Sequence, residues 1–323
     1  MSGWRPASGP EAARSRADIL RRVRAYFDDT VVLEVDTPAL STAAASDIQI
    51  ESFEIAGSAV SSAPLYLHTS PEFCMKRLLA AGYPDIYSIS RVFRDGEAGQ
   101  KHQPEFTMIE WYRHGMDLGQ IIDDTLQLTH HALGAIAPAA TPDRVDYYDA
   151  ILDACDVDAR VADVEDLATA TNADEDLRAA IGDERDDWLD LLLATRVIPG
   201  FAPDRLTVMQ HYPASQAALA RLCPDRPDVA DRFEMFLGPI ELANGYVELT
   251  DASEQAARIV ADNRSRELRG RASRPVDRNL LAALDAGLPQ CAGVAMGLER
   301  LQMIHDKTDD IRDVITFAFE EGA

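Results

Sequence analysis

Arg94, Phe106, Glu110 and Tyr112 fall within one stretch of alternating residue character, and their types suit the handling of a charged, planar ligand. A strand turns successive side chains to opposite faces, so Phe106, Met108, Glu110 and Tyr112 share one side. That side carries an aromatic plate, a carboxylate and a phenol. A planar base can stack on Phe106, Arg94 can grip phosphate or carboxylate, and Glu110 can take an ammonium. A half-buried hairpin with a charged loop would carry the same residues without any chemistry, and this stretch alone leaves both readings open.

Two strands and a loop are needed to position these groups. Residues 87–94 are aromatic and β-branched, and 106–112 are again apolar and aromatic. Between them, 95–104 hold Gly96, Gly99 and Pro104 around Lys101 and His102, which predicts a hairpin with a mobile cationic loop. Upstream, Ile19, Leu20, Val23, Tyr26 and Phe27 recur at helical spacing and predict a helix over 12–28, followed by a short strand over 31–35. A strand-like run covers 48–55 and another covers 65–69. Ser70, Pro71 and Glu72 then open a helix over 73–81 that Gly82 stops; proline and an acid suit a first helical turn.

Downstream, 118–133 reads as a helix. The acidic, alanine-rich stretch of about 143–205 reads as a helical insertion. A strand over 206–212 follows, then a hairpin of 233–237 and 240–249 around Gly238 and Pro239. Helices are expected over 253–269 and 280–286. A glycine-punctuated strand then runs from Cys291 into a helix.

The totals suit a globular chain of 323 residues with 46% hydrophobic content. No apolar run is long enough to span a bilayer, and the first residues lack the apolar core of a signal peptide. The expectation is a cytoplasmic protein with no membrane partner and a flexible tail over 1–11. Cys74, Cys155, Cys223 and Cys291 are far apart, which argues against a zinc knuckle or a disulfide framework. Asp and Glu number 55 against 31 Lys and Arg, a net charge of −24. Only Lys76, Lys101 and Lys307 are lysines. Such an acidic surface repels nucleic acid at low salt, and adaptation to high salt explains it better than any partner does.

Residues 87–113 resemble motif 2 of the class II aminoacyl-tRNA synthetases, close to the lysine branch, through Phe93-Arg94, His102-Gln103-Pro104-Glu105-Phe106 and Glu110-Trp111-Tyr112. The helix, strand and Pro38 before it resemble motif 1, the dimer element. Cys291 to Leu301 resembles motif 3. The resemblance implies an α+β class II catalytic core over 12–323, an antiparallel sheet flanked by helices, which binds ATP and Mg²⁺ and forms a homodimer. It places Arg94 and Arg300 on phosphates as the catalytic arginines, Lys101, His102 and Gln103 on the nucleotide, and Phe106 against adenine. Glu241, Leu242 and Gly297 complete the ATP site, and Glu234 with Glu241 would hold the metal. Ser70, Pro71, Glu72, Glu110, Tyr112, Asn244, Glu248 and Ala295 would form the substrate pocket, with glutamates around a diamino acid. A pocket of paired charges rejects neutral amino acids, whose binding leaves carboxylates unpartnered.

Motif 1 begins within the first forty residues, so the chain looks like a freestanding core without an anticodon-reading domain. Among such cores it is most similar to the elongation factor P lysyltransferases, paralogues of lysyl-tRNA synthetase. Tyr212-Pro213-Ala214-Ser215-Gln216, Ala243 and Ala295 carry that likeness. It implies lysine or (R)-β-lysine as substrate, a lysine of elongation factor P as acceptor, and no tRNA. The chain departs from the family at Gly96, where a glutamate usually reads adenine and for which Glu97 is the candidate substitute, and at Gln103, usually asparagine. A small-molecule amide-forming ligase and a non-catalytic regulatory paralogue are the competing readings.

Overall fold

The computed structural model of the chain describes residues 4–138 and 141–319. It divides into two compact units, one built from Met1–Ile136 and Glu248–Ala323 and the other from Ala137–Val247. Predominantly antiparallel strands flanked by helices make the fold α+β, as expected. The expected tail over 1–11 lies partly outside the described residues. Within its described part, the Ala7 N–H donates to the Thr316 carbonyl at 2.8 Å, and a helix already starts at Pro10.

In the first unit, helix Pro10–Asp29 buries Ile19, Val23, Tyr26 and Phe27, the stripe that its spacing requires. The chain leaves it through Val31 at φ 56°, a backbone region hostile to a β-branched residue, and the strand expected over 31–35 shrinks to Leu33–Glu34. That strand runs parallel to Ile86–Phe93, which pairs antiparallel with Glu105–His114. Glu105–His114 pairs in turn with Cys291–Gly297. The motif 2 hairpin is therefore real, and its second strand lies centrally between two partners.

The strand expected over 48–55 survives only as Glu54–Ile55. Arginines claim the backbone before it. Arg266 donates to the Asp47 carbonyl at 3.0 Å and Arg271 donates to that of Ile48, while Glu51 takes Arg266 at 2.7 Å. Carbonyls committed to guanidinium groups are not offered to a neighbouring strand.

Two buried carboxylates lock the frame. Asp124, on helix Leu118–Leu133, accepts from Arg113 at 2.9 Å, from Trp111 at 2.9 Å and from Tyr26 at 2.6 Å. Glu299 accepts from Arg16 and from the Thr107 N–H, both at 2.9 Å. The second set fixes helix Leu298–Asp306 to the start of the central strand, and Arg300 is the next residue on that helix.

In the second unit, Asp143–Asp146 runs parallel to Leu206–Gln210, which pairs antiparallel with Arg232–Leu237, and that strand with Ile240–Val247. Helices Tyr147–Cys155, Val164–Ala170, Glu175–Ile181 and Arg185–Leu192 follow the first strand. Tyr147, Ile151, Leu167, Trp188, Met209 and Phe236 form their common core. At the Gly238-Pro239 turn, Gly238 has φ 51°, and a Cβ there would lie 3.2 Å from the Pro203 backbone. Only glycine fits both demands.

Candidate functional site

The central strand turns Phe106, Met108, Glu110 and Tyr112 to one face. Its partner sets Gly297 across from Met108, Ala295 from Glu110 and Gly293 from Tyr112. Small residues on that neighbour leave the space above Glu110 and Tyr112 to other groups. A Cβ on Gly293 would lie 2.5 Å from both Glu248 Oε1 and Tyr112 Cε1. Glu248 reaches this spot because its N–H donates to the Cys291 carbonyl at 2.9 Å.

Ser70 and Glu72 enter from the start of helix Glu72–Ala80. Ser70 Oγ accepts from the Glu72 N–H at 3.0 Å and donates to Glu110 Oε2 at 2.7 Å. Tyr112 OH donates to Glu110 Oε1 at 2.8 Å. Pro71, with φ −75° and ψ −2°, caps the helix and holds this geometry. Glu110 is 2% exposed and takes hydrogen bonds from two neutral hydroxyls. Burial, and then the charge of Glu72, push its pKa up to about 8.

A residue that the sequence reading left unassigned stands at the centre. Lys76, 1% exposed, places Nζ 2.6 Å from Glu72 Oε1 and 2.5 Å from Glu248 Oε2. Burial alone would lower its pKa, but Glu248 and Glu72 outweigh burial and hold it above the ordinary lysine range. Burial, against the pull of Lys76 and with the charge of Glu72 added, pushes Glu248 up to about 8. Its Oε1 accepts no hydrogen bond. The pocket thus joins Ser70, Glu72, Glu110, Tyr112 and Glu248, with Ala295 beside Glu110. An ammonium is the group this donor-poor, carboxylate-rich lining can satisfy.

The expected nucleotide residues of the first unit form a second group. The Arg94 guanidinium lies 5.2 Å from the Phe106 ring centroid, a cation–π distance. Its other neighbour is Glu97, at 3.5 Å. Arg300 Nη2 is 2.6 Å from His102 Nε2, and Arg300 Nε is 3.4 Å from the Lys101 carbonyl. The loop that carries Lys101 and His102 is therefore tied to the helix of Arg300. Gln103 is buried and its side-chain oxygen accepts from the Phe319 N–H at 2.7 Å. A Cβ at Gly297 would meet only Arg300 Cδ, at 4.0 Å, so the backbone there is open to a ligand.

The second unit carries the others. Asn244 stands across from Glu234, and its Nδ2 donates to Glu234 Oε1 at 3.3 Å. Arg232, absent from the expected set, donates to the same oxygen at 2.7 Å. Burial, and then the charge of Glu241, push Glu234 up to about 7. With its side chain 16% exposed, Glu234 is not a solvated surface acid. Met235 pairs with Ala243 and Phe236 with Glu241, so Leu242 is the extra residue of a bulge. Its side chain is buried, which leaves only its backbone for a nucleotide. Bulges of this kind re-aim side chains beside functional sites.

An α+β fold with an antiparallel sheet, an arginine on its motif 2 hairpin and another behind a glycine-ended strand defines a class of ATP-using synthetases. The chain belongs to the class II tRNA synthetases (D, K and N), a family it matches over residues 5–321. It is 42% identical to the "Elongation factor P--(R)-beta-lysine ligase" of Sodalis glossinidius, across 99% of both chains. The proteins of the same name from Photorhabdus laumondii and Yersinia enterocolitica are each 41% identical, over 99% and 98% of this chain and 99% and 97% of theirs.

Proposed function

We propose that this chain is an ATP-dependent ligase that activates a lysine-type diamino acid, lysine or (R)-β-lysine, and transfers it to a lysine side chain of elongation factor P. The observation that carries this reading is the pocket of Glu72, Glu110 and Glu248 around Lys76, in a chain whose relatives of that name align over nearly their whole length.

A carboxylate oxygen of the amino acid attacks the α-phosphorus of ATP in line, and pyrophosphate leaves. The acceptor's neutral amine then attacks the acyl carbonyl, and AMP leaves with the bonding electrons. An amide remains, and the amine proton passes to water or phosphate. Both steps need positioning and charge neutralisation more than they need a protein acid or base. Arg94 and Arg300 neutralise phosphate charge, with Lys101 and His102 at the far end of the phosphate chain. Phe106, half-buried, offers its ring to adenine. Glu248 Oε1, buried and without a donor, suits a substrate ammonium, and Asn244 serves the substrate carboxylate.

Glu234 and Glu241 fit a divalent cation, since Glu234, pushed up by burial and by the charge of Glu241, is relieved by a positive ion. Mg²⁺ bound there would supply further charge neutralisation for the phosphates. The exposed Val31 and Leu33, directly after helix Pro10–Asp29, support a homodimer, because a second copy would cover them. Among the described residues, no helix is long and apolar enough to cross a membrane.

The test is mass analysis of elongation factor P after incubation with enzyme, ATP and each lysine isomer. The reading expects a mass gain of one lysyl group as an amide stable to mild base. Charging of lysine tRNA at a comparable rate, or no gain with any isomer, defeats it and favours a small-molecule ligase.

A further inference from the structure

Lys76 lies four residues after Glu72 on helix Glu72–Ala80, so the two share a helix face. The helix brings its amine between Glu72 and Glu248, two carboxylates from distant parts of the chain. Desolvating an ammonium costs more than a typical ion pair returns, and an apolar side chain of similar volume commonly serves stability as well or better. Folding alone therefore gives weak grounds for a buried lysine here. The basic residues of this chain are otherwise almost all arginine. A compact ammonium fits between two carboxylates where a planar guanidinium would need more width.

Glu248 Oε2 lies 2.5 Å from Lys76 Nζ, and Oε1 closes on the space above Gly293 and Tyr112. With Glu72, Glu110 and Glu248 all ionised, one ammonium leaves two negative charges, and a diamino acid brings two ammonium groups.

We propose that Lys76 is a positioning residue for diamino acid selection: it fixes Glu248 so that Oε1 faces the substrate, and it cancels one carboxylate so that the pocket matches two ammonium groups rather than three. This rests on the reading that the pocket binds a diamino acid. Neutral amino acids of the same length gain nothing from this arrangement, so its loss acts on discrimination more than on turnover.

The experiment is pyrophosphate exchange by wild type, Lys76→Met and Lys76→Arg, each with lysine and with norleucine, which lacks only the side-chain amine. For Lys76→Met, the preference for lysine over norleucine in kcat/KM is expected to fall at least tenfold, through KM for lysine. Lys76→Arg keeps the cation and is expected to recover part of the preference. Equal losses for both amino acids, or an unchanged preference, overturn the proposal while leaving the functional reading in place. Wild type that activates no diamino acid defeats the functional reading instead.

If Lys76→Met does not fold, lysine-labelled wild type answers the question. Three lysines give three ¹³Cε signals, assigned with Lys101→Arg and Lys307→Arg. Unlabelled lysine is expected to shift the Lys76 signal, and ATP alone to leave it in place. A Lys76 signal indifferent to saturating lysine overturns the proposal.

Discussion

Gly293 and Glu248 are packed so closely that no side chain fits between them: a Cβ on Gly293 would lie 2.5 Å from Glu248 Oε1 and 2.5 Å from Tyr112 Cε1. Both neighbours are buried. Gly293→Ala is expected to displace the carboxylate and raise KM for the diamino acid by roughly tenfold or more, with a stability loss of about 1–3 kcal/mol from overpacking. Its affinity for ATP should hold within threefold. Isothermal titration with each ligand, beside a thermal melt, checks this; unchanged lysine affinity counts against the pocket.

The pocket also predicts a pH dependence. Glu110 is raised from the ordinary glutamate range to about 8 by burial and by Glu72, and an ammonium ligand needs it ionised. KM for lysine should therefore fall as pH rises from 6 to 8, by at most about tenfold per unit for one released proton. Stability runs the other way. A carboxyl with a raised folded pKa contributes fully below about 4.3, its unfolded value, and that contribution is lost as pH rises through 8. The ligand-free protein should melt lower at pH 8.5 than at pH 6, and Glu110→Gln should flatten that difference. A steeper slope in the variant would contradict the assignment.

Arg300 holds His102 at 2.6 Å and lies 3.4 Å from the Lys101 carbonyl, so its loss frees the loop and, on the proposed reading, also removes a phosphate-binding charge. Arg300→Ala is expected to reduce lysine-dependent pyrophosphate exchange by roughly 10²–10³-fold. His102→Ala, which leaves the arginine in place, should cost less. Equal exchange in Arg300→Ala and wild type would remove Arg300 from the reaction.

Away from the pocket, Asp124 is the acceptor for Arg113, Trp111 and Tyr26. Asp124→Ala strands a buried guanidinium and is expected to cost about 3–5 kcal/mol. A denaturant titration measures it, and a loss under 1 kcal/mol would mean that water replaces the carboxylate.

Much of this was legible before any coordinates. Period-two alternation put Phe106, Glu110 and Tyr112 on one face, while the register with Ala295 and Gly293 came only from the structure. Helical spacing found Pro10–Asp29 and Leu118–Leu133 to within two residues. The misreadings have physical causes. The strand over 48–55 looked apolar enough, but the carbonyls of Asp47 and Ile48 at its start serve arginines more than two hundred residues away. The hairpin of Leu222–Cys223 and Arg226–Ala230 went unread because Pro224 and Pro227 argue against strands; it forms a two-stranded sheet whose Val229 also bridges Pro213. Lys76 looked like one charge on a short helix. Its signal was the combination of a rare lysine, an acid four residues earlier, and flanking Met75 and Leu79, both of which are buried.

The lodging of Lys76 has one more consequence. A ligase that makes activated acyl groups endangers every neutral amine within reach, its own included. An amine between two carboxylates, held in its ammonium form beyond the ordinary lysine range, has no lone pair to offer. In its ammonium form this primary amine is no nucleophile toward an activated acyl group.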